Sequence, residues 1–354
     1  MILAEKGLNV SFSKVKYREM APRVGLDPYG SGSDMQTFDI RRARIPTSLF
    51  KDIVQDLEIS MKQYGEPNEQ ANEEARSRCL APVSMATSAF AYFLCSRSCQ
   101  IFGRLVGLFD LTIHNTPKSV IPAHMTTRGR IEYHYVVLGG ISLLVIEVKY
   151  TMGNAQERLN AIAQVIAELD GMQTLPLLSA RIYISFIACD YANDHRNFPP
   201  TTVYGVLCDG TIFEFFSFNG ETNPPTVSRG VFPTPTLPVP LLAIANYYAS
   251  RANFILSLRP ICETIFYLLL LSYKTAIQAS TTRSTGRAKK QKSPRASTPS
   301  WQEALLFAEE ALQLAVDAAA KATTGDSTTA NEVTDRTLES LRKRFRSQCF
   351  HLAL

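Results

Sequence analysis

The residues in this sequence that best fit a chemical role end a short apolar strand, as Glu147-Val148-Lys149. Side chains two residues apart in a β-strand point to the same face, so Glu147 and Lys149 share a face. The residues before them, 143–146, are Leu, Leu, Val and Ile. A carboxylate and an ammonium group at the end of so apolar a strand are costly unless they pair or have a function.

A second carboxylate comes from the preceding strand if residues 131–150 form a hairpin around Gly139-Gly140. Paired glycines indicate such a turn because its backbone needs positive φ angles. The register predicted by a symmetric turn pairs Leu138 with Ile141, Val136 with Leu143, His134 with Val145, Glu132 with Glu147 and Arg130 with Lys149.

The predicted pair of Glu132 and Glu147 suggests a metal site. Like charges directly opposite each other destabilise a sheet, and a divalent cation between them removes the repulsion. Oxygen ligands of this kind suit Mg²⁺ or Mn²⁺. Lys149 beside such a metal can orient an attacking water and stabilise charge on a phosphate. The alternative is a solvated edge on which Glu132 pairs with Arg130 or Lys149, and a one-residue bulge would break the register.

The order of elements around this hairpin resembles the PD-(D/E)XK nuclease superfamily, in particular the nuclease-like domains of fungal proteins. The strongest match is the strand 144–149, which is similar to the superfamily's (D/E)xK strand. Residues 72–82 resemble its opening helix, 161–169 its following helix and 203–210 its late hairpin. The resemblance covers roughly residues 70–275.

This resemblance implies an α/β fold of the restriction-endonuclease-like type. A central mixed β-sheet would be flanked by helices, here with a helical C-terminal extension. Glu147, Lys149 and Gln164 would be the catalytic residues, with Gln164 packing against the site from the following helix. Glu74, or its neighbour Glu73, would reach the metal from the opening helix.

The sequence departs from the superfamily at the first metal ligand, which is usually an aspartate on the strand before (D/E)xK. No Asp occurs in 131–146. Glu132 is the substitute that the cross-strand register favours. His134 is favoured by its spacing to Glu147 and because His134-Tyr135-Val136-Val137 resembles the Asp-aromatic-Val-Val pattern. A histidine ligand would favour Mn²⁺.

Three functions follow from these patterns. The first is a metal-dependent nuclease acting on DNA or RNA, with Arg76, Arg78 and Arg130 contacting phosphates. The second is a nuclease fold that has lost hydrolysis and serves as a nucleic-acid-binding or protein-interaction module. The third is a scaffold that forms homo-oligomers through its C-terminal helices. Neither a phosphate-binding loop of the Gly-Lys-Ser/Thr type nor a kinase signature is present in the sequence.

Composition shifts divide the chain into four segments. They are an irregular and helical segment (1–69), the nuclease-like domain (70–279), a basic disordered linker (280–300) and a helical segment (301–354). The predicted helices begin near residues 47, 69 and 88, and further helices cover 155–171, 241–279 with a break at Pro260, 301–322 and 331–350. Strands are predicted over 131–138, 141–150, 181–189, 202–207 and 211–218, and a proline-rich loop over 223–240.

The bulk composition sets broad limits. The chain has 354 residues, of which 19% are charged, and a net charge of +5, so it can fold over most of its length and permits a polyanionic partner. Seven cysteines without a CxxC pair predict reduced thiols in an intracellular protein, and the basic residues in 287–295 favour a nuclear location. The apolar stretch 254–273 contains Arg259 and Glu263, which predicts a buried helix rather than a membrane span.

Overall fold

A computed structural model describes most of the chain. The described residues are 10–65, 101–110, 112–115, 119–122, 128–131, 133–138, 141–149, 154–170, 201–233, 241–291 and 298–348. The predicted helices over 69–100 and the predicted strand 181–189 lie outside them.

Ten strands occur in the described residues, and eight of them form one mixed sheet. They are β1 (Gln36–Asp39), β2 (Ile113–Asn115), β3 (Ser119–Pro122), β4 (Arg128–Ile131), β5 (Tyr133–Val137), β6 (Ile141–Val148), β7 (Val203–Cys208), β8 (Ile212–Asn219), β9 (Thr226–Val231) and β10 (Leu241–Ala243). The sheet order is β1-β9-β8-β7-β6-β5-β2, β10 also pairs with β8, and β3 and β4 form a separate two-stranded sheet. The pairs β6–β7 and β1–β9 are parallel, and the others are antiparallel.

Helices cover both faces of the sheet, as predicted for an α/β protein. They are α1 (Tyr17–Met20), α2 (Thr47–Tyr64), α3 (Ile101–Val106), α4 (Ala155–Asp170), α5 (Arg251–Gln291), α6 (Thr298–Thr323) and α7 (Ser327–Gln348). One core cluster contains residues of α2, α3, α5 and α6, and the other contains residues of α1 and α4.

The alternation of side chains along β6 explains these two cores. Leu144 and Ile146 belong to the α5 side, and Val145 between them belongs to the α4 side. A strand that is buried on both faces is largely apolar, and β6 is apolar except for Ser142 and Glu147. Glu147 has the same parity as Val145, so it points towards α4.

The predicted hairpin of β5 and β6 is present, and its register agrees with the prediction only near the site. His134 lies opposite Val145, as predicted. An irregularity between Tyr135 and Val136 then shifts the ladder by one residue. Val136 pairs with Ser142 and not with the predicted Leu143, and the partner of Ile141 is Val137 and not the predicted Leu138. Leu138 does not pair with β6, and its φ angle is 50°. The turn therefore begins at Leu138, one residue earlier than a symmetric turn on Gly139-Gly140 would.

Two predictions for the second half of the chain were wrong in detail. The proline-rich stretch 223–240 contains a strand, β9, which the sheet holds between β8 and β1. Helix α5 starts at Arg251 rather than near 241, and it continues through Pro260 without a break. Burial of the apolar residues on both sides of Pro260 overrides the local preference of proline to end a helix.

The helix α5 also continues to Gln291, into the segment 280–300 for which disorder was predicted. Residues such as Ala288, Lys289, Lys290 and Gln291 have high helix propensity, and extending an existing helix avoids the cost of nucleation. Residues 292–297 of the predicted linker lie outside the described chain.

The apolar stretch of α5 is a core helix. Arg251–Thr282 is long and apolar enough to cross a membrane by length and composition, but 67% of its most apolar window is buried inside the protein. Phe266, Leu268 and Tyr273 are among its fully buried side chains. The buried helix predicted for 254–273 is therefore confirmed.

Candidate active site

The strand β6 and the helix α4 are held close together by local features on each. The backbone N–H of Lys149 donates to the carbonyl of Cys208 at 2.8 Å, which fixes the end of β6 against β7. Asn154 caps α4 by accepting a hydrogen bond of 2.8 Å from the backbone N–H of Glu157. A Cβ atom at Gly205 would lie 2.9 Å from Cγ1 of Val165, so glycine on β7 allows the helix its close approach.

An ion pair fixes the rotation of α4 over the sheet. Nε and Nη2 of Arg158 donate to the two carboxylate oxygens of Glu214 on β8, at 2.6 and 2.7 Å. Glu214 is fully buried, and Nε of Arg229 lies 3.8 Å from its Oε2 atom. Bidentate pairs of this kind have a defined geometry, so the first turn of α4 can take only one rotation. That rotation directs Gln164 towards β6.

The three predicted catalytic residues contact one another. Nζ of Lys149 donates to Oε1 of Glu147 at 2.6 Å and to Oε1 of Gln164 at 2.7 Å. Nε2 of Gln164 donates to the same Oε1 atom of Glu147 at 2.6 Å. Glu147 is buried, whereas the Lys149 side chain is 19% exposed. The three side chains therefore form a closed set of hydrogen bonds, with the ammonium group on its solvent side.

A fourth residue, Glu168, belongs to this cluster and was not predicted. Its Oε1 atom accepts a hydrogen bond of 2.9 Å from Nε2 of Gln164, and the side chain is fully buried. Burial raises the pKa of Glu168 well above its usual value, and the adjacent charge of Glu147 raises this pKa further. Both effects favour the protonated form of Glu168. The signal in the sequence was a lone glutamate four residues after Gln164 on an otherwise apolar helix face.

His134, one of the two predicted substitutes for the missing aspartate, lies deep in the sheet. It is 2% exposed and stands opposite Val145, two residues before Glu147 along β6. Burial lowers the pKa of His134 to about 3, so the imidazole is neutral at pH 7.

Of the remaining predicted site residues, the structure describes only Arg130. Glu132, Glu73, Glu74, Arg76 and Arg78 lie outside the described residues. The backbone of Arg130 is described, and its partner is Val120 of β3 rather than Lys149. The predicted pairing of Arg130 with Lys149 was wrong because β4 belongs to the separate two-stranded sheet.

A divalent cation needs several oxygen ligands that converge on one point. In the described part of the chain no three or more His, Cys, Asp or Glu side chains come together as a metal-binding group. Glu147 and Glu168 are a pair of adjacent carboxyl groups, and a complete site needs at least one more ligand.

Comparisons with known proteins give no relative of this chain: no protein-family model, no curated protein and no solved structure matches it. The function is therefore inferred from the geometry of the site.

Proposed function

We propose that this chain is a nuclease-like protein that hydrolyses phosphodiester bonds in DNA or RNA with Mg²⁺ or Mn²⁺. The observation that carries the proposal is the contact of Glu147, Lys149 and Gln164 beside a second buried carboxyl group, Glu168. A carboxylate pair next to a fixed lysine is a combination suited to phosphoryl chemistry.

The donor set fits a divalent cation with oxygen ligands. Oε2 of Glu168 is buried and accepts no hydrogen bond from the described residues, so in the protonated form this oxygen would carry the proton. A cation at this position would replace that proton, with Glu147 and Glu168 as ligands and Glu132 as the predicted third. When bound, the ion would supply Lewis-acid polarisation of the phosphate and a lower pKa for an attacking water.

The protein's own residues have separate roles in this proposal. Gln164 holds Lys149 through its Oε1 atom and Glu147 through its Nε2 atom, so it fixes both side chains in one geometry. The partly exposed ammonium group of Lys149 would bind a phosphate oxygen of the substrate and stabilise negative charge as it develops. Arg158 and Glu214 are positioning residues, because they orient α4.

The arrangement of elements supports the finer proposal of a restriction-endonuclease-like fold. The hairpin β5–β6, the helix α4 and the strand β7, parallel to β6, follow one another in the order that the resemblance implies. The antiparallel hairpin β7–β8 follows, as expected of the late hairpin. Nucleic acid as the partner, the contacts of Arg76, Arg78 and Arg130, homo-oligomers through the C-terminal helices and a nuclear location stay predictions.

A second candidate function is a nuclease fold without hydrolysis that binds nucleic acid or protein. The observation in its favour is the missing aspartate: no Asp occurs in 131–146, and an imidazole, His134, occupies the aspartate position by sequence spacing.

The decisive experiment measures metal binding and cleavage on the same samples. Titration calorimetry with Mg²⁺ and Mn²⁺ would use the wild type, Glu147→Gln and, as a matched control, Glu157→Gln in the exposed first turn of α4. Each sample would then be incubated with single- and double-stranded DNA and RNA. We expect metal heat and cleavage in the wild type and in Glu157→Gln, and neither in Glu147→Gln.

Other outcomes separate the two functions. A protein that binds nucleic acid without metal heat or cleavage would support the second function. A protein that shows no metal heat, no cleavage and no nucleic-acid binding would overturn the nuclease proposal and the nucleic-acid-binding form of the second.

A further inference from the structure

A groove with a volume of about 790 Å³ lies on the other side of the sheet from the candidate active site. It runs between α2 and the first turns of α5. Both helices contribute to the core cluster on the face opposite α4. The groove is therefore separate from Glu147 and Lys149, and its role is independent of the proposed nuclease activity.

The floor of the groove is apolar. The side chains that line it include Phe50, Val54 and Ile59 of α2 and Ile255 of α5. Ile59 is 46% exposed, which is high for an isoleucine that stands next to other apolar side chains. Covering this surface would be favourable, at about 25 cal/mol for each Å² of apolar area removed from water.

Two lysines without ion pairs to described residues line the groove. Lys51 and Lys62 lie on α2 and line the groove, and neither forms an ion pair with another described residue. Their spacing in the sequence is about three helical turns, which places both on one side of α2 and about 16 Å apart.

The other charged groups of the groove are already paired. Arg251 contacts Glu58 at 2.6 Å, and Arg259 donates to the buried Glu263 at 2.9 Å and covers the ring of Phe50. The positive charge that remains available is that of Lys51 and Lys62. A ligand of complementary charge therefore needs two separated negative groups with an apolar surface between them.

We propose that this groove binds an amphipathic helix of another protein, with apolar residues on one face and two acidic residues about three turns apart. The groove follows α2, whose 18 residues span about 27 Å, so it matches a helix of four to five turns. A protein helix fits better than a nucleic acid because the floor of the groove is apolar.

The test selects ligands from a displayed library of random 20-residue peptides on the full chain. Selected peptides would be synthesised, and their affinity measured by fluorescence anisotropy. We expect enriched peptides to form amphipathic helices with two acidic residues about three turns apart. The variant Ile59→Glu and the double variant Lys51→Glu/Lys62→Glu should each weaken binding at least tenfold. These positions are exposed, so the variants should fold, and circular dichroism would check this.

The matched control is Lys14→Glu, an exposed lysine remote from the groove in sequence, which should leave binding unchanged. Peptides in which the two acidic residues are replaced by lysine should bind the double variant better than the wild type. The proposal would be overturned if no peptide were enriched, or if the enriched peptides bound Ile59→Glu as tightly as the wild type. It would also be overturned if the double variant bound a 20-base-pair DNA duplex more weakly than the wild type but bound every peptide equally well.

Discussion

Glu168 lies one turn beyond Gln164 on α4 and is joined to it by a hydrogen bond of 2.9 Å. Through the same amide group, Glu168 is linked to Glu147 and Lys149. One amide thus connects two carboxyl groups and an ammonium group, and the protonation of Glu168 is set by burial and by the charge of Glu147.

Replacing Glu168 with glutamine should affect metal binding far more than stability. The amide has the size of the protonated carboxyl group and keeps the hydrogen bond with Gln164. Without divalent ions at pH 7, we expect the free energy of unfolding to change by less than about 1 kcal/mol. We expect Mn²⁺ affinity to fall by about tenfold or more, since a ligand is lost. Urea denaturation and calorimetry measure the two effects, and Glu157→Gln is the control. A loss of several kcal/mol without metal would contradict a protonated Glu168.

Lys149→Met should separate binding from chemistry. The variant removes the ammonium group that would stabilise charge on the phosphate, so we expect cleavage to slow by about 100-fold or more. Metal affinity should be kept or increased, because a cation that competes for Glu147 is gone. Initial rates of cleavage and calorimetry would be compared with those of Lys14→Met, in which an exposed lysine is changed. Equal rates for Lys149→Met and wild type would refute a role for Lys149 in the reaction.

His134 should make the fold sensitive to acid. Its pKa is about 3 in the folded chain and near 6.5 in the unfolded chain, because burial disfavours the charged form. The neutral side chain therefore contributes stability above pH 6.5, and this contribution decreases as the pH falls from 6.5 towards 3. Between pH 7 and pH 5 the wild type should lose about 2 kcal/mol more than His134→Gln does. Denaturant titrations at both pH values measure this, and His114→Gln, at an exposed histidine, should behave like the wild type.

Glu214→Gln should destabilise the protein strongly. The substitution leaves Arg158 and Arg229 without the carboxylate that both contact on the α4 side of the sheet. Removing one partner of a buried ion pair costs about 3–5 kcal/mol, and we expect a loss in this range. Thermal and urea unfolding would be compared with those of Glu221→Gln, at an exposed turn residue. Equal stability of the two variants would show that the ion pair does not fix α4.

Gly230→Ala should be damaging, whereas Gly107→Ala should be tolerated. A Cβ atom at Gly230 would lie 2.6 Å from Cγ1 of Ile40 and 3.1 Å from Cβ of Phe215. Ile40, which directly follows β1, or Phe215 on β8 would therefore have to move. Overpacking of this kind costs about 1–3 kcal/mol. At Gly107 a Cβ atom would meet nothing within 4 Å. Urea midpoints that fall equally in both variants would contradict this explanation.

The sequence was informative where local pattern and tertiary environment agree. The strand 141–148 and the helix 155–170 were predicted closely, because apolar runs and helical periodicity have clear signals. The contacts of Gln164 with Glu147 and Lys149 agree with the position that the resemblance gave to Gln164.

Other features depend on packing that a single sequence does not reveal. Glu168 becomes a member of the site because α4 packs over β6, so that Gln164 reaches Glu147 while it also contacts Glu168. The register of the β5–β6 ladder shifts between Tyr135 and Val136, and this shift depends on the geometry of the turn. Gly139-Gly140 predict where the turn lies but not its geometry. Pro260 and the strand β9 show the opposite case, in which a clear local signal is overridden by burial.

Segments that are far apart in the sequence meet in one core. The strand β1 pairs with β9, and the backbone N–H of Arg44 donates to the carbonyl of Ala315 at 2.8 Å. Contacts between residues so far apart in sequence require large loops to close, which slows folding. During synthesis, apolar side chains such as Ile40 and Ile45 therefore stay uncovered until the strand β9 and the region around Ala315 have also been made.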